Sequence, residues 1–305
     1  RFFTGSNGAN ERMRILGNGN IGIGTTTPQA RLDVAGGVRI GDDTSACTSS
    51  NVGTLRYSNL DLQVCTNSGW FSSKPTPTIV QDGLVLHLDA GNPASYTGTG
   101  TTWTDLSGNN NNGTLVNGPT YNSANGGSLV VDGVDDYIIT TRLSNTGNSN
   151  SSQSYCLWVK PDDTNGNILS MSSSNPQGSW NMPPIAASSS RFRGKFWSNQ
   201  YLNATSTYVN SQWYYVCLIF SYNSVTANAY QRLYVNGDLN SEQTNITYSA
   251  SGSNNFLFFG QQNPGADNAG MFKGSYGSIQ IYTNKALTAE EVQQNFNATK
   301  GRFGL

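Results

Sequence analysis

Apolar side chains recur at every second position in short runs along most of this chain, the spacing that lines one face of a pleated strand. Up to residue 43 each run holds only two apolar positions: Met13 and Ile15, Ile21 and Ile23, Leu32 and Val34, Val38 and Ile40, separated by Gly, Asn and a Thr-Pro step. Each run predicts a strand of a few residues, and such strands bury too little to be stable alone. Three copies intertwined around one axis would supply the missing apolar contact. Residues 44–73 predict a small meander from Gly53–Tyr57, Leu62–Cys65 and Trp70-Phe71, with Tyr57 and Trp70 as its large apolar anchors. The alternating prolines of Lys74-Pro-Thr-Pro-Thr78 favour an extended, fairly stiff spacer, which places a linker over 74–82.

From residue 83 to 305 the runs lengthen. Gly83–Leu88, Ser128–Val131, Tyr137–Thr140, Tyr155–Lys160, Trp213–Tyr222, Gln231–Val235, Asn255–Gly260 and Gly277–Tyr282 alternate with Asn, Gly and Ser turns. That is the pattern of a β-sandwich or jelly roll. One helix interrupts it. Thr288-Ala-Glu-Glu291 is a capping box, with Leu287 and Val292 placed as a hydrophobic staple. Val292 and Phe296 stand four residues apart, on one face, so the short C-terminal helix should dock on the sandwich.

Composition narrows the function. Only 11% of the 305 residues are charged, against roughly 25% in an average soluble domain. Amides and hydroxyls must therefore supply the polar surface, a style suited to extracellular or virion β-proteins. A net charge of -1, with Arg12, Arg14, Arg31, Arg39 and Arg56 dispersed, argues against a nucleic-acid partner. No apolar run approaches the roughly 20 residues that cross a bilayer, which argues against membrane insertion. The chain begins at Arg1 in mid-pattern, as a fragment or processed product would. Of the four cysteines, Cys47 and Cys65 bracket one short segment and could form a disulfide, whereas Cys156 and Cys217 sit in apolar runs and read as buried small hydrophobes.

Two stretches carry resemblances. GNGNIGIGTTTPQARLDVAG, preceded by ERMRI, resembles an element of phage tail-fibre and related fibre proteins, with Gly22, Gly24, Thr25, Pro28, Leu32, Asp33 and Gly36 in place. The following GTLRY, with Leu62, Cys65 and Trp70, resembles the module common after such shafts. The resemblance implies a homotrimeric β-rich shaft and a small β-meander collar. From Gly83 onward, GLVLHLDAG, WTDLSGNNNNGTL, SLVVDGVDDY, WVKP, WYYV, LYVNG and ALTAEEV follow in order. This set resembles the laminin-G-like domains of the concanavalin A-like lectin/glucanase superfamily. It implies a jelly-roll sandwich with Trp158 and Trp213 in the core.

That superfamily includes glycosidases, but the residues for hydrolysis are missing. Retaining hydrolysis needs two carboxyl groups about 5 Å apart. Glu11, Glu242, Glu290 and Glu291 are the only glutamates, and the last two cap a helix. Asp135 and Asp136 are adjacent and would point to opposite faces of a strand. No serine occupies a nucleophile elbow, and the single histidine, His87, lies in an apolar run as a packed residue would. The reading is therefore not an enzyme.

Oxygen-rich clusters suit calcium better. Asp105, Asn109 and Asn112 in one loop, and Asp132, Asp135 and Asp136 in VDGVDDY, are candidates, and the resemblance also implies a calcium site. The alternative is that these side chains hold turns together through backbone hydrogen bonds. For a sugar, exposed aromatics and amides are needed. Segment 172–208 offers Trp180, Phe196, Trp197, Asn199 and Tyr201 with Arg191 and Arg193, and the 261–272 loop offers Gln261 and Asn263.

The expected protein is all-β: a shaft, a collar and a concanavalin A-like jelly roll. It would act as a tail fibre or head-decoration fibre on a virion surface, binding host surface polysaccharide or another virion protein. The alternatives are a bacterial surface adhesin or extracellular filament subunit and, less favoured, a glycan-cleaving enzyme.

Overall fold

The computed structural model describes residues 2–4, 10–41, 45–58, 61–67, 69–72, 78–146, 150–173, 181–196, 201–223, 228–246, 254–261 and 270–305. The chain forms two compact units, Arg1–Thr76 and Pro77–Leu305.

The first unit holds two small sheets. Strands β1 (Phe2–Thr4), β2 (Asn10–Ile15), β3 (Ile21–Ile23) and β4 (Leu32–Val34) pair in sequence order, the last pair parallel. Val38 and Ile40, expected as a strand, lie in irregular chain. Strands β5 (Leu55–Ser58), β6 (Asp61–Thr66) and β7 (Gly69–Ser72) form an antiparallel meander. A disulfide between Cys47 and Cys65 closes the segment leading into it. Arg56 lies over the Trp70 ring at 3.9 Å, and Trp70 Nε1 donates to the Ser45 carbonyl at 3.1 Å. Tyr57 is not the buried anchor expected: it is 44% exposed, because a three-stranded meander has no second layer to cover its face.

The second unit contains the long runs. In chain order its strands are β8 (Leu84–Asp89), β9 (Thr102–Trp103), β10 (Gly113–Val116), β11 (Thr120–Asn122), β12 (Ser128–Asp132), β13 (Tyr137–Thr140), β14 (Leu143–Ser144), β15 (Gln153–Pro161) and β16 (Gly166–Ser172). They continue as β17 (Asn181–Ser188), β18 (Arg191–Gly194), β19 (Leu202–Asn203), β20 (Tyr214–Asn223), β21 (Asn228–Val235), β22 (Asp238–Thr244), β23 (Asn254–Phe259) and β24 (Lys273–Thr283). The back sheet runs β11-β12-β24-β15-β20-β21-β22, with β8 also on β24. The front sheet runs β19-β18-β17-β16-β23-β13-β10-β9, with β14 on β23. Together they make the jelly-roll β-sandwich that the strand pattern predicts and that the resemblance implies.

Alternation along the back sheet divides its side chains between two cores. Tyr155, Leu157 and Val159 of β15, with Val216, Leu218 and Phe220 of β20, face the front sheet in the main core. Cys156 and Trp158, with Tyr215, Cys217 and Ile219, face the other way, into a second core. A strand buried on both faces has few polar positions to spare, which is why Tyr155 to Val159 of β15 read as an unbroken apolar run.

Helix α1 (Ala289–Thr299) covers that second core. Its capping box forms as predicted: Thr288 Oγ1 accepts from the Glu291 amide and Glu291 accepts from the Thr288 amide. Val292 and Phe296 are buried. Phe303 stacks on Trp158 at 4.2 Å between ring centroids and lies 4.7 Å from Trp213. Gly277 makes room for this ring, since a Cβ there would lie 2.5 Å from Phe303 Cζ. Arg302 locks the tail in place. It pairs with Asp89 and donates to the carbonyls of Asn125, Gly127 and Gly277.

Cys156 and Cys217 are direct register partners on β15 and β20, and they form a disulfide. This corrects their reading as two separate small hydrophobes. Residues 74–77 of the expected linker lie outside the described residues. The end of that linker is tied into the second unit: the Val80 amide donates to Asn295 Oδ1 at 2.7 Å, and Tyr282 donates to the Val80 carbonyl.

Candidate functional site

The outer face of the front sheet, turned away from the main core, is read from its registers. Ile185 and Ala187 of β17 and Leu257 and Phe259 of β23 belong to the main core, so Ala186 and Phe258 face outward. Cross-strand partners share a face. Asn167 of β16 pairs with Ala186, Ala186 with Arg193 of β18, and Arg193 with Asn203 of β19. These four residues form one outward row. A β-bulge after Asn167 lets Ile168 and Leu169 both turn inward while Asn167 stays outward.

Unmatched polarity collects along this row. Asn167 is fully buried, and neither its Oδ1 nor its Nδ2 has a hydrogen-bond partner. Arg193 Nε and Gln261 Oε1 are likewise buried without partners. Gln261 follows β23, and its carbonyl accepts from the outward hydroxyl of Ser170. Four of the seven such atoms among the described residues belong to Asn167, Arg193 and Gln261. A buried polar atom left without a partner costs about 1–3 kcal/mol, so these atoms call for a partner such as a water, an ion or a ligand group.

Tyr201 stands beside the row. Arg193 lies over its ring at 4.2 Å and Lys195 at 4.8 Å. Its ring therefore carries two cations. Further along the same face, Arg142 lies 5.9 Å from the Phe256 ring, and Tyr137 packs against Phe258. Phe196, offered by the sequence as an exposed aromatic, is fully buried between Tyr155 and Phe220. Its amide donates to Gln231 in the interior. Trp180, Trp197, Asn199 and Asn263 lie outside the described residues.

The acidic candidates separate into two loops. Asp105 is buried, and its two oxygens accept from the amides of His87, Ser107 and Asn111 and from the Ser107 hydroxyl. Asn109 donates to the Leu84 carbonyl and to Ser107. These contacts knot the loop to β8, as the turn-holding alternative anticipates. Asp132, Asp135 and Asp136 do converge, with carboxylate oxygens within 4.8 Å of one another. Burial, and then the neighbouring Asp132 carboxylate, raises Asp136 above the ordinary range, while the Val134 amide lowers Asp132. Hard oxygens in this number suit a divalent cation such as calcium, which takes 6–8 oxygen ligands. The set could hold a metal ion and would include Asp136 but neither Asp105 nor Asn109.

Two other features complete the surface. A groove of about 560 Å³ runs between α1 and the β21–β22 turn, lined by Tyr234, Asp238, Leu239, Glu290, Gln293 and Asn297 among others. His87 is held below its ordinary pKa by burial, against the opposing pull of Asp89 and Asp105. Two disulfides suit a protein that folds in an oxidising, extracellular or secretory setting. No helix among the described residues is long and apolar enough to cross a membrane.

Among solved structures, the chain is similar to Trypanosoma rangeli sialidase in complex with sialic acid, at 14% identity and a TM-score of 0.53, over 81% of this chain and 44% of that one. It is also similar to the botulinum neurotoxin serotype D/C VPI 5993 binding domain, at 18% identity and a TM-score of 0.52, over 72% and 53%. At such identities the likeness is one of fold, and the chain spans about half the length of these solved chains. No curated protein matches the sequence. Residues 131–293, more than half of the chain, match the Laminin_G_3 family model, and the protein belongs to the concanavalin A-like lectin/glucanases superfamily.

Proposed function

We propose that this chain is a non-enzymatic, homotrimeric fibre protein of a phage virion, whose C-terminal domain binds a host-surface glycan on the outer face of the front sheet. The observation that carries the glycan assignment is the concentration of buried, partnerless polar atoms on Asn167, Arg193 and Gln261. Sugar hydroxyls both donate and accept, and they match such a mixture of amide and guanidinium groups better than an apolar ligand would. The lectin-like fold supports the same reading.

The oligomer rests on the first unit. Among its described residues Cys65 is a buried hydrophobic side chain, while Ile15, Leu32, Val38, Leu55 and Phe71 are all more than half exposed. Apolar surface on that scale in so small a unit needs a cover, and copies of the same chain supply one. The shaft-like and collar-like motifs of residues 10–71 favour a fibre, and the two disulfides suit an external location. The absence of catalysis is inferred from where the carboxylates lie. Glu242 pairs with Arg232, Glu291 serves the helix cap and Lys285, and Asp105 ties a loop.

The test has three arms on the full chain. A glycan array should return binding to a defined set of bacterial surface polysaccharides. Sedimentation velocity should give a trimer. A digest of the bound polysaccharide should release no new reducing ends. A monomer that binds no glycan removes the proposal, and new reducing ends replace it with a glycan-cleaving enzyme.

A further inference from the structure

The cations beside the outward row differ from the ion-paired ones elsewhere in the second unit. Arg232 meets Glu242, Lys285 meets Asp82 and Glu291, and Arg302 meets Asp89. Arg193 and Lys195 meet no carboxylate among the described residues; both instead lie over the ring of Tyr201. Arg193 lies in β18 and Lys195 directly follows that strand, with Gly194 between them. Gly194 turns inward, where a Cβ would lie 2.3 Å from Leu218 Cδ1, while the cations on either side of it meet at the one Tyr201 ring. Next to Arg193 in the row stand the buried Ala186 on one side and the exposed Asn203 on the other.

Placing two cations near one another with no carboxylate beside them among the described residues costs electrostatic energy, and the Tyr201 ring offsets part of it while holding both in position. In a chain with only 17 Lys and Arg and a net charge of -1, such a pair is not a general surface property. Neutral sugar hydroxyls are served by amides; a pair of fixed cations with N–H donors is matched by an anion, and the planar guanidinium fork matches a carboxylate.

We propose that the outer-face site reads an acidic glycan, with the carboxylate of a carboxylated sugar held by Arg193 and Lys195 and ring hydroxyls meeting the exposed Asn203 amide of the same row. This rests on the reading of that face as the glycan site. Tyr201 is then a positioning residue: it fixes the two cations and does not stack on the sugar.

The experiment uses the full chain against oligogalacturonate, hyaluronan fragments and sialylated oligosaccharides, each beside its carboxyl-reduced or desialylated counterpart, with a heparin fragment as a sulfated arm. Binding is measured by calorimetry. At least one carboxylated probe should bind, and its neutral counterpart should bind at least about ten-fold more weakly, the scale of a lost charge-assisted hydrogen bond. Arg193→Gln and Lys195→Gln should each lose a similar factor, whereas Lys300→Gln, on the opposite side of the domain over Phe296, should change nothing. Thermal melting of each variant separates lost binding from lost folding, and Lys195→Gln leaves the buried Arg193 nitrogen untouched. Equal affinity for acidic and neutral partners, or acidic affinity unchanged in both variants, overturns the carboxylate assignment while leaving the glycan reading in place. Preference for heparin over every carboxylated probe moves the anion from carboxylate to sulfate and overturns the assignment as stated. No binding to any oligosaccharide overturns the glycan reading itself.

Discussion

The two units of this chain use the same strand alphabet with opposite results. In the second unit, two sheets face each other, so every inward side chain finds a partner layer, and a helix covers the remaining apolar face. In the first unit, three- and four-stranded sheets of three to six residues per strand leave comparable apolar side chains exposed among the described residues. The difference lies less in hydrophobicity than in layering. An apolar stripe stabilises only where a second layer removes it from water. A fold can therefore place one self-sufficient body and one that depends on assembly in a single chain.

This contrast can be tested by truncating matched side chains. The largest effect is expected at Trp158, which is fully buried between Phe303, Phe296 and Tyr215 and donates to Thr299. Trp158→Ala should destabilise the second unit by about 3–5 kcal/mol in urea melts. Next, Phe71 of the first unit and Val134 of the second are exposed to similar degrees, 63% and 74%. Phe71→Ser should weaken self-association by about 1.5–3 kcal/mol per copy in sedimentation equilibrium, as for a side chain buried on assembly. Val134→Ser should shift stability by no more than about 0.5 kcal/mol. Equal, negligible effects at both positions would erase the distinction between the units.

Smaller effects sharpen the picture inside the second unit. Thr288→Ala removes one half of the capping box and should cost about 1 kcal/mol, read from the same melts. Last comes pH. Burial holds His87 below its unfolded value, so the folded state favours the neutral imidazole. Its contribution is fully present above the unfolded pKa of roughly 6.5 and is eroded as pH falls from there toward the depressed folded value. The stability of His87→Asn should decline less steeply than that of the parent between about pH 7 and 5.5. A parent with no decline in that window would show that His87 is not buried enough to matter.

Much of the sandwich was legible. The eight longer runs each became a strand, because half-buried and doubly buried strands leave plain marks in alternation. The strands that escaped notice lack those marks. β22, Asp238–Thr244, is polar apart from the half-exposed Leu239 and survives at a sheet edge by pairing with β21. β17 carries Pro183 and Pro184, residues that argue against an interior strand. Register shifts opposite Leu169 and Met171 accommodate them. The site was legible only in part. Arg193 and Tyr201 do stand together, but their relation is cation over ring, and Phe196 from the same segment went to the core. Lys195, Asn167 and Ala186 drew no attention, since one Lys, one Asn and one Ala in a β-rich chain carry no local signal.

What the sequence determined by itself was local: alternation, the capping box at Thr288 and Glu291, the turns, and the scarcity of charge that leaves amides to face water. These follow from neighbours within a few residues, where the spacing of side chains is set by the strand or helix period. Tertiary structure decided everything that depends on register between distant strands. It set Cys156 opposite Cys217 across 61 residues of chain and gathered Asn167, Ala186, Arg193 and Asn203 into one row. A shift of one residue in any of those pairings would turn the row inward, so no inspection of the segments singly could have found it.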